Sequence, residues 1–580
     1  MVVVLGGCCL EFMWIRFEKN AIFYILKILL QTNQNDMKNR NLLFIFFLAL
    51  FVSCEKKTKS ELIDKNIVGQ YIDNFNKNDV ELYQQFITNA DVKTFLLDNV
   101  PLIDIPDKDI EETYYFRWWT YRKHIKNTED GFVITEFLPK VFWSMKHNTI
   151  NCPAGHHIYE GRWLRNPKYI SDYINFWLKK SGDGIRQYSF WVADASLAFQ
   201  SVHRNDSLII DQLPLLLKNY QKWELDRRIQ NNTLFWQYDT NDGMEHTVSG
   251  RILNNGVDTF TVSATRPTIN SYMYGDAKAI AKFAQILDKP LIHLSFTEKA
   301  ENIKQSVQER LWNKKLNFFT VLPKDYNEGH RPLNIRELIG YVPWYFNLPD
   351  DKMEYAVAWQ KVKDTLGFAA PIGLTVTERS HPYFQISYEG HECQWNGPSW
   401  PFATTQTLKA LANHINNYTN HQMVSKKDYY ELLLQYAKSH KRTNQKGEII
   451  NWIDENINPF TGDWISRTRL KKWENGTWSK EKGDVERGKD YNHSGFCDLV
   501  ISDLLGLKPQ IDGSIKIKPL VPESWDWFCI DRVLSNGREI RVVWDKYGEK
   551  YKIGKGFMIF INDKLVKKSS NLRDFIVGPI

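Results

Sequence analysis

Carboxylates gathered beside aromatic rings occur in two stretches of this chain. The first, residues 236–246, reads WQYDTNDGMEH and carries Asp239, Asp242 and Glu245 around a glycine. The second, residues 452–462, reads WIDENINPFTG and contains Glu455. Between them residues 393–402, CQWNGPSWPF, read as a tight turn presenting Trp395 and Trp400. Cleaving a glycosidic bond needs one carboxylic acid to protonate the leaving oxygen, and a second carboxylate to attack or to activate water. Two acidic loops on one rigid scaffold meet that need, although acidic surface loops are common and often only solvated. The 21 Trp and the 14% aromatic content point the same way, because flat rings with a polar edge suit sugars. Any single Trp is still more often core material.

The elements that must hold these loops are helical. After Arg266, Pro267 suits the first turn of a helix, since its missing N–H would be unpaired there anyway. Ile269, Met273, Ala277, Ile280, Ala284 and Leu287 then fall on one stripe. Similar stripes run through Ile170, Ile174 and Trp177, through residues 191–198, and through residues 208–223. Ser295 and Glu298 have capping-box spacing ahead of Ala300, Ile303, Val307 and Leu311. More stripes follow at 353–366, 402–415, 429–437 and 496–505, the last ended by Gly506. Helices arriving in pairs, with long loops between pairs and few buried strands, predict a mainly α (α/α)6 toroid. They do not suit a parallel α/β fold, a four-helix bundle or a fixed-period repeat array. Past Leu507 the texture alternates, with turn signals at Asn536-Gly537 and Asn562-Asp563, and predicts a small C-terminal β-sandwich. The expected organisation is a tether and N-terminal helical region at 54–110, a catalytic domain at 111–507 and a β domain at 508–580.

A net charge of +7, from 75 basic and 68 acidic residues, comes with no long basic run and no nucleic-acid motif. Residues 37–54, MKNRNLLFIFFLALFVSC, read as a basic n-region, an apolar h-region and a lipobox-like site before Cys54. Residues 1–36 are then an upstream extension and 37–53 a lipoprotein signal peptide. Cys54 is lipidated on this reading, so the chain is exported and anchored to a bacterial membrane, in the periplasm or at the outer membrane. The apolar run 42–52 is too short to span a bilayer. Cys152, Cys393, Cys497 and Cys529 are too widely spaced to dictate a disulfide. No clustered His/Cys set predicts a metal, and no cofactor is implied.

The helix start RPTINSYMYGDAKAIAKFA, the turn WNGPSWPF, and the loop ENINPFTG followed by NHSGF together carry a resemblance. Over about two-thirds of its length the chain resembles the inverting six-hairpin glycosidases of the clan of trehalase, processing α-glucosidase I and mannosylglycerate hydrolase. The mannosylglycerate-hydrolase-like branch is the most similar. The resemblance implies that Glu455 is a general base activating water. It puts the general acid in the segment Asn241 to Glu245, where the family reads roughly S-G-x-D and this chain reads Asp242, Gly243, Met244, Glu245. The acid is therefore Glu245 or Asp242, which lie three apart and would share a face on one helical turn. The family's following Ser-Pro-Arg is replaced by other residues.

The acid is expected to be held protonated by burial against Trp236, Met244 or another aromatic, and inversion needs the two carboxyls roughly 6.5–9.5 Å apart. His156, His157, Arg162 and Arg266 are candidates to bind sugar hydroxyls or an anionic substituent, against an equally weighted structural role. Trp395, Asn396 and Trp400 offer a platform, and His493 with Asn492 offers support to Glu455. The expected partner is an oligosaccharide or glycoside with a terminal, α-linked sugar. The competing readings are an α-L-rhamnosidase-like or uronic-acid-releasing toroid enzyme, a phosphorylase, for which Glu455 would be superfluous, and a non-catalytic glycan-binding lipoprotein.

Overall fold

The computed structural model describes residues 62–229, 232–325, 329–472 and 482–579. The expected upstream extension, the signal segment and Cys54 lie outside the described residues.

Helices that are buried on every side form an inner ring. In chain order these are α1 (Ala154–Gly161), α2 (Val192–Val202), α3 (Pro267–Ile286), α4 (Val342–Tyr345) and α5 (Pro401–Asn417), followed by a single π turn, Leu499–Leu504. Each packs on the next. Glu160 of α1 closes the ring by accepting from the N–H groups of Cys497 and Asp498, both at 2.9 Å, ahead of the π turn. Arg162 seals the same seam on Asp498 at 2.6 Å. Amphipathic partners lie outside, Lys168–Lys179, Asp206–Arg227, Pro290–Arg310, Met353–Ala356 with its 3-10 continuation and Lys426–Ser439, together with Lys108–His124, which is itself buried along nearly its whole length. The fold is an (α/α)6 toroid.

The sequence chooses which helices go inside. α3 starts at Pro267 after an extended Arg266, and its stripe broadens until nearly every residue is buried. A helix surrounded by protein must be apolar or internally paired all round. Gly275 lets Phe346 approach, since a Cβ there would stand 2.3 Å from that ring. In α5, Lys409 is buried and spends its three donors on Asp498, Asp503 and Ser502. Two local expectations fail. The helix assigned to a Ser295 cap starts five residues earlier, at Pro290, because proline at the first position is an equally good start. The 496–505 stripe contains a π turn, ended by Gly506 at φ +80°, where a Cβ would strike the Lys518 backbone.

The C-terminal region is strand-rich. Trp527–Ser535 (β2), Arg538–Asp545 (β3), Gly556–Ile561 (β4) and Lys564–Ser569 (β5) form an antiparallel meander. Its other edge is filled by Leu102–Asp104 (β1), which pairs with β2. The segment read as N-terminal and helical therefore also supplies a strand to the C-terminal sheet. A second sheet, of Leu507–Pro509, Ile515–Ile517 and Phe575–Val577, meets the first through the stacked rings of Phe557 and Phe575. Among the described residues no helix is long and apolar enough to cross a membrane.

Candidate active site

The WNGPSW turn clamps the two acidic loops together. At its start the Trp395 N–H donates to the Glu245 carbonyl at 2.9 Å. At its end Ser399 and Ile457 exchange both backbone hydrogen bonds, at 3.0 and 2.9 Å. Gly397 is required between these contacts, because a Cβ there would lie 2.2 Å from the Gln385 carbonyl oxygen. Stretches some two hundred residues apart are thus spliced through backbone groups of one turn.

The three carboxylates of the first loop have different surroundings. Asp239 accepts from the N–H groups of Thr240 and Val262 and from the Thr247 hydroxyl. Asp242 accepts from Ser189 at 2.5 Å, from Arg266 at 2.6 Å and from the Thr268 hydroxyl, which ties the loop to the first turn of α3. Glu245 has no cation in contact and, among the described residues, no side-chain hydrogen bond from another residue. Solvent reaches it in part, yet protein surrounds the carboxyl. Burial, and next the negative charge of Glu455, push it up to about 8. Asp242 and Glu245 do not share a helical face. Thr240–Asp242 is a 3-10 turn ended by Gly243 at φ +77°, and the chain reverses before Glu245.

Glu455 is 2% exposed and is gripped by Arg487, with Nε 2.6 Å from Oε1 and Nη2 3.1 Å from Oε2. The Cys393 thiol lies 3.2 Å from Oε2. Arg487 also holds Glu392 at 2.9 Å. Burial opposes ionisation of Glu392, yet Arg487 and then His391 bring that carboxyl down to about 2. Behind Glu455, Asp454 accepts from the Glu455 N–H at 2.9 Å, and Gly488 makes room for it, since a Cβ there would sit 1.7 Å from Asp454 Oδ1. A third carboxyl, Glu136, belongs to the same cluster. Burial, then Glu455, then Glu245 raise it well above the usual range, while Tyr491 donates to it at 3.3 Å. Partly exposed Tyr188, Trp143 and Cys393 complete the surroundings, with Trp143 stacked 5.2 Å from the Arg487 guanidinium.

Several predicted ligand-binding residues are used elsewhere. His156 is 1% exposed between the rings of Trp191 and Phe402, and burial brings it down to about 3. His157 bridges Tyr173 and the Asn492 carbonyl. Arg162 and Arg266 are committed to Asp498 and Asp242. Trp236 is covered by Lys324 and Arg227, 3.7 and 4.4 Å from its ring. Met244 is buried against Arg266. Trp395 and Trp400 are each 2% exposed and stack on one another at 4.4 Å, a brace inside the turn where an open platform was expected. Asn396 is buried and anchors Gln385 through its carbonyl. Asn492 bonds Thr135, not Glu455, and His493 stacks on Phe402 beside Glu136.

Arg487 and Glu136 were missed. Glu136 had a signal, as a lone acid inside the apolar run IT-E-FL. Arg487 had none, standing in a polar stretch like many others. The described cysteines form no disulfide.

Residues 146–494 match the family described as the mannosylglycerate hydrolase MGH1-like glycoside hydrolase domain. Residues 508–567 match the C-terminal domain of glycosyl hydrolase family 65. A solved structure titled sialidase is 38% identical with a TM-score of 0.79 over 89% of this chain, which spans only 44% of that longer chain. The mannosylglycerate hydrolase of Thermus thermophilus is 10% identical, with a TM-score of 0.44 over 62% of this chain and 98% of its own. The neutral trehalase of Saccharomyces cerevisiae is 13% identical, with a TM-score of 0.38 over 60% of this chain and 75% of its own.

Proposed function

Because the chain belongs to the mannosylglycerate hydrolase MGH1-like glycoside hydrolase family, we propose that it removes a terminal, α-linked sugar with inversion, Glu245 acting as general acid and Glu455 as general base. The observation that carries this reading is the contrast between two carboxyls joined by one turn. Glu245, at about 8, keeps its proton at neutral pH, whereas Glu455 is paired with a guanidinium that fixes both its oxygens. Asp242 is the weaker acid candidate, because Ser189, Arg266 and Thr268 already occupy its oxygens.

The Glu245 proton passes to the glycosidic oxygen as the bond to the anomeric carbon breaks, and the aglycone leaves as an alcohol. Glu455 takes a proton from water, whose oxygen forms the new bond on the opposite face. Proton exchange with solvent then restores both groups. Activity should fall above about pH 8, where Glu245 loses its proton.

The sialidase title raises a second reading, release of an acidic sugar. An anionic substituent would need a cation, and Arg487, the guanidinium at the base, is already committed to Glu455 and Glu392. Neutral sugars are the better fit. The test is a panel of nitrophenyl glycosides and oligosaccharides, acidic sugars included, with the product anomer followed by NMR. Retention of configuration overturns the mechanism, and preferential release of an acidic sugar favours the second reading. Export and lipidation at Cys54 complete the proposal, supported by the apolar segment and the Ser53-Cys54 site. Fatty-acid labelling that persists in Cys54→Ala would remove that part.

A further inference from the structure

Glu136 has no place in the two-carboxylate mechanism, yet it is placed as carefully as either partner. It follows the short strand Gly131–Ile134, and its carbonyl accepts from the Asn492 N–H at 3.2 Å. The neighbouring Thr135 carbonyl accepts from the Asn492 side chain. Oε1 receives the Tyr491 hydroxyl at 3.3 Å and faces His493 Nε2 at 3.7 Å. Those two residues also bond one another, and each is fixed by a ring, Tyr491 against Phe137 at 5.4 Å and His493 on Phe402 at 4.6 Å. The acid loop runs beside this group, since a Cβ on Gly243 would lie 3.9 Å from His493 Cε1. Oε2 makes no hydrogen bond among the described residues, and no cation is in contact with the carboxyl.

A structural carboxyl at 5% exposure is ordinarily satisfied on both oxygens or paired with a cation. Glu136 is rigid on one oxygen, while the other has no protein partner among the described residues and is not sealed from solvent. Burying a carboxyl beside other acids with no cation in contact costs stability, and such costs persist where a ligand uses the group. We infer that Glu136 is a third carboxyl of the sugar site and takes a hydroxyl of the sugar ring held between Glu245 and Glu455, backed by Tyr491 and His493. The inference rests on the glycosidase reading above. Burial, and next the charge of Glu455, make Glu136 reluctant to ionise, and in its protonated form it can donate to that hydroxyl as well as accept from it.

The test compares wild type, Glu136→Ala and Glu136→Gln on the nitrophenyl glycoside cleaved best in the panel and on its monodeoxy analogues at each ring hydroxyl. Wild type should lose activity on one analogue in particular. Glu136→Ala should lower kcat/KM on the parent by about 10–100-fold and abolish the discrimination at that one position. Glu136→Gln keeps a donor and an acceptor and should recover part of both. If alanine does not fold, a glutamine variant with altered discrimination at that single position carries the same result. Equal losses on parent and all analogues, with discrimination intact, would assign Glu136 to structure and overturn the inference alone. A wild type that cleaves no glycoside overturns the reading beneath it.

Discussion

The loop of Glu245 and the loop of Glu455 meet on one turn, and their carboxyls are treated in opposite ways. Around Glu455 the fold places a guanidinium on both oxygens and a thiol beside one of them. Around Glu245 it places no cation, while both loop neighbours, Asp239 and Asp242, are bonded away. One group is gripped by a guanidinium, and the other is made reluctant to ionise by burial and by its neighbour's charge. Two glutamates of the same intrinsic acidity acquire different chemistry from surroundings alone.

Replacing either carboxyl tests this contrast most severely. Glu245→Gln and Glu455→Gln should each lower kcat by about 10²–10⁴-fold on an ordinary sugar leaving group. A glycosyl fluoride, whose leaving group needs little protonation, should rescue the first variant and not the second. Equal rescue of both would break the assignment.

Arg487→Met should come next, because it leaves Glu455 and Glu392 buried without their shared cation. A loss on the order of 3–5 kcal/mol in unfolding free energy is expected, with activity lost as well. Arg487→Lys, which lacks the fork, should recover stability better than activity. Gly397→Ala strains the clamp itself, and it should lower kcat on the full substrate and on the fluoride alike, because it disturbs both carboxyls.

Stability provides a sharper, smaller test. The folded value of Glu245, about 8, lies above its ordinary value, 4.5. The unfolded chain therefore holds fewer protons between these limits, and stability declines as pH rises through that window. Glu245→Gln should be more stable than wild type by on the order of 1–3 kcal/mol at pH 9, after allowance for the partial exposure of the residue, and little different at pH 4. Thermal unfolding at the two pH values measures it, and a gain confined to low pH would contradict the assigned surroundings. The smallest effect is on the pH profile. Asp239→Asn removes one of the charges that raise Glu245, and should move the alkaline limb of kcat/KM downward by less than about one unit.

The helical stripes, Pro267 at a helix start and the alternating C-terminal segments were legible because they depend on local periodicity and backbone chemistry. The N-terminal strand Leu102–Asp104 was not, because its partner lies more than four hundred residues away and three residues carry no period. His156, His157, Arg162 and Arg266 look alike in sequence whether they face a ligand or a helix seam. Here Arg162 closes the ring on Asp498, and Arg266 anchors Asp242. Trp395 and Trp400 were readable as a pair, but their stacking on one another was a matter of packing.

By itself the sequence determined that two acidic loops and a tryptophan-bearing turn sit on a helical scaffold, since residue types and short spacings are local properties. Only the tertiary structure decided what each carboxyl can do. A carboxyl's proton affinity depends on which charges and donors stand within a few ångströms, and Arg487, Glu136 and the Ser399–Ile457 bridge reach those positions only when the ring closes.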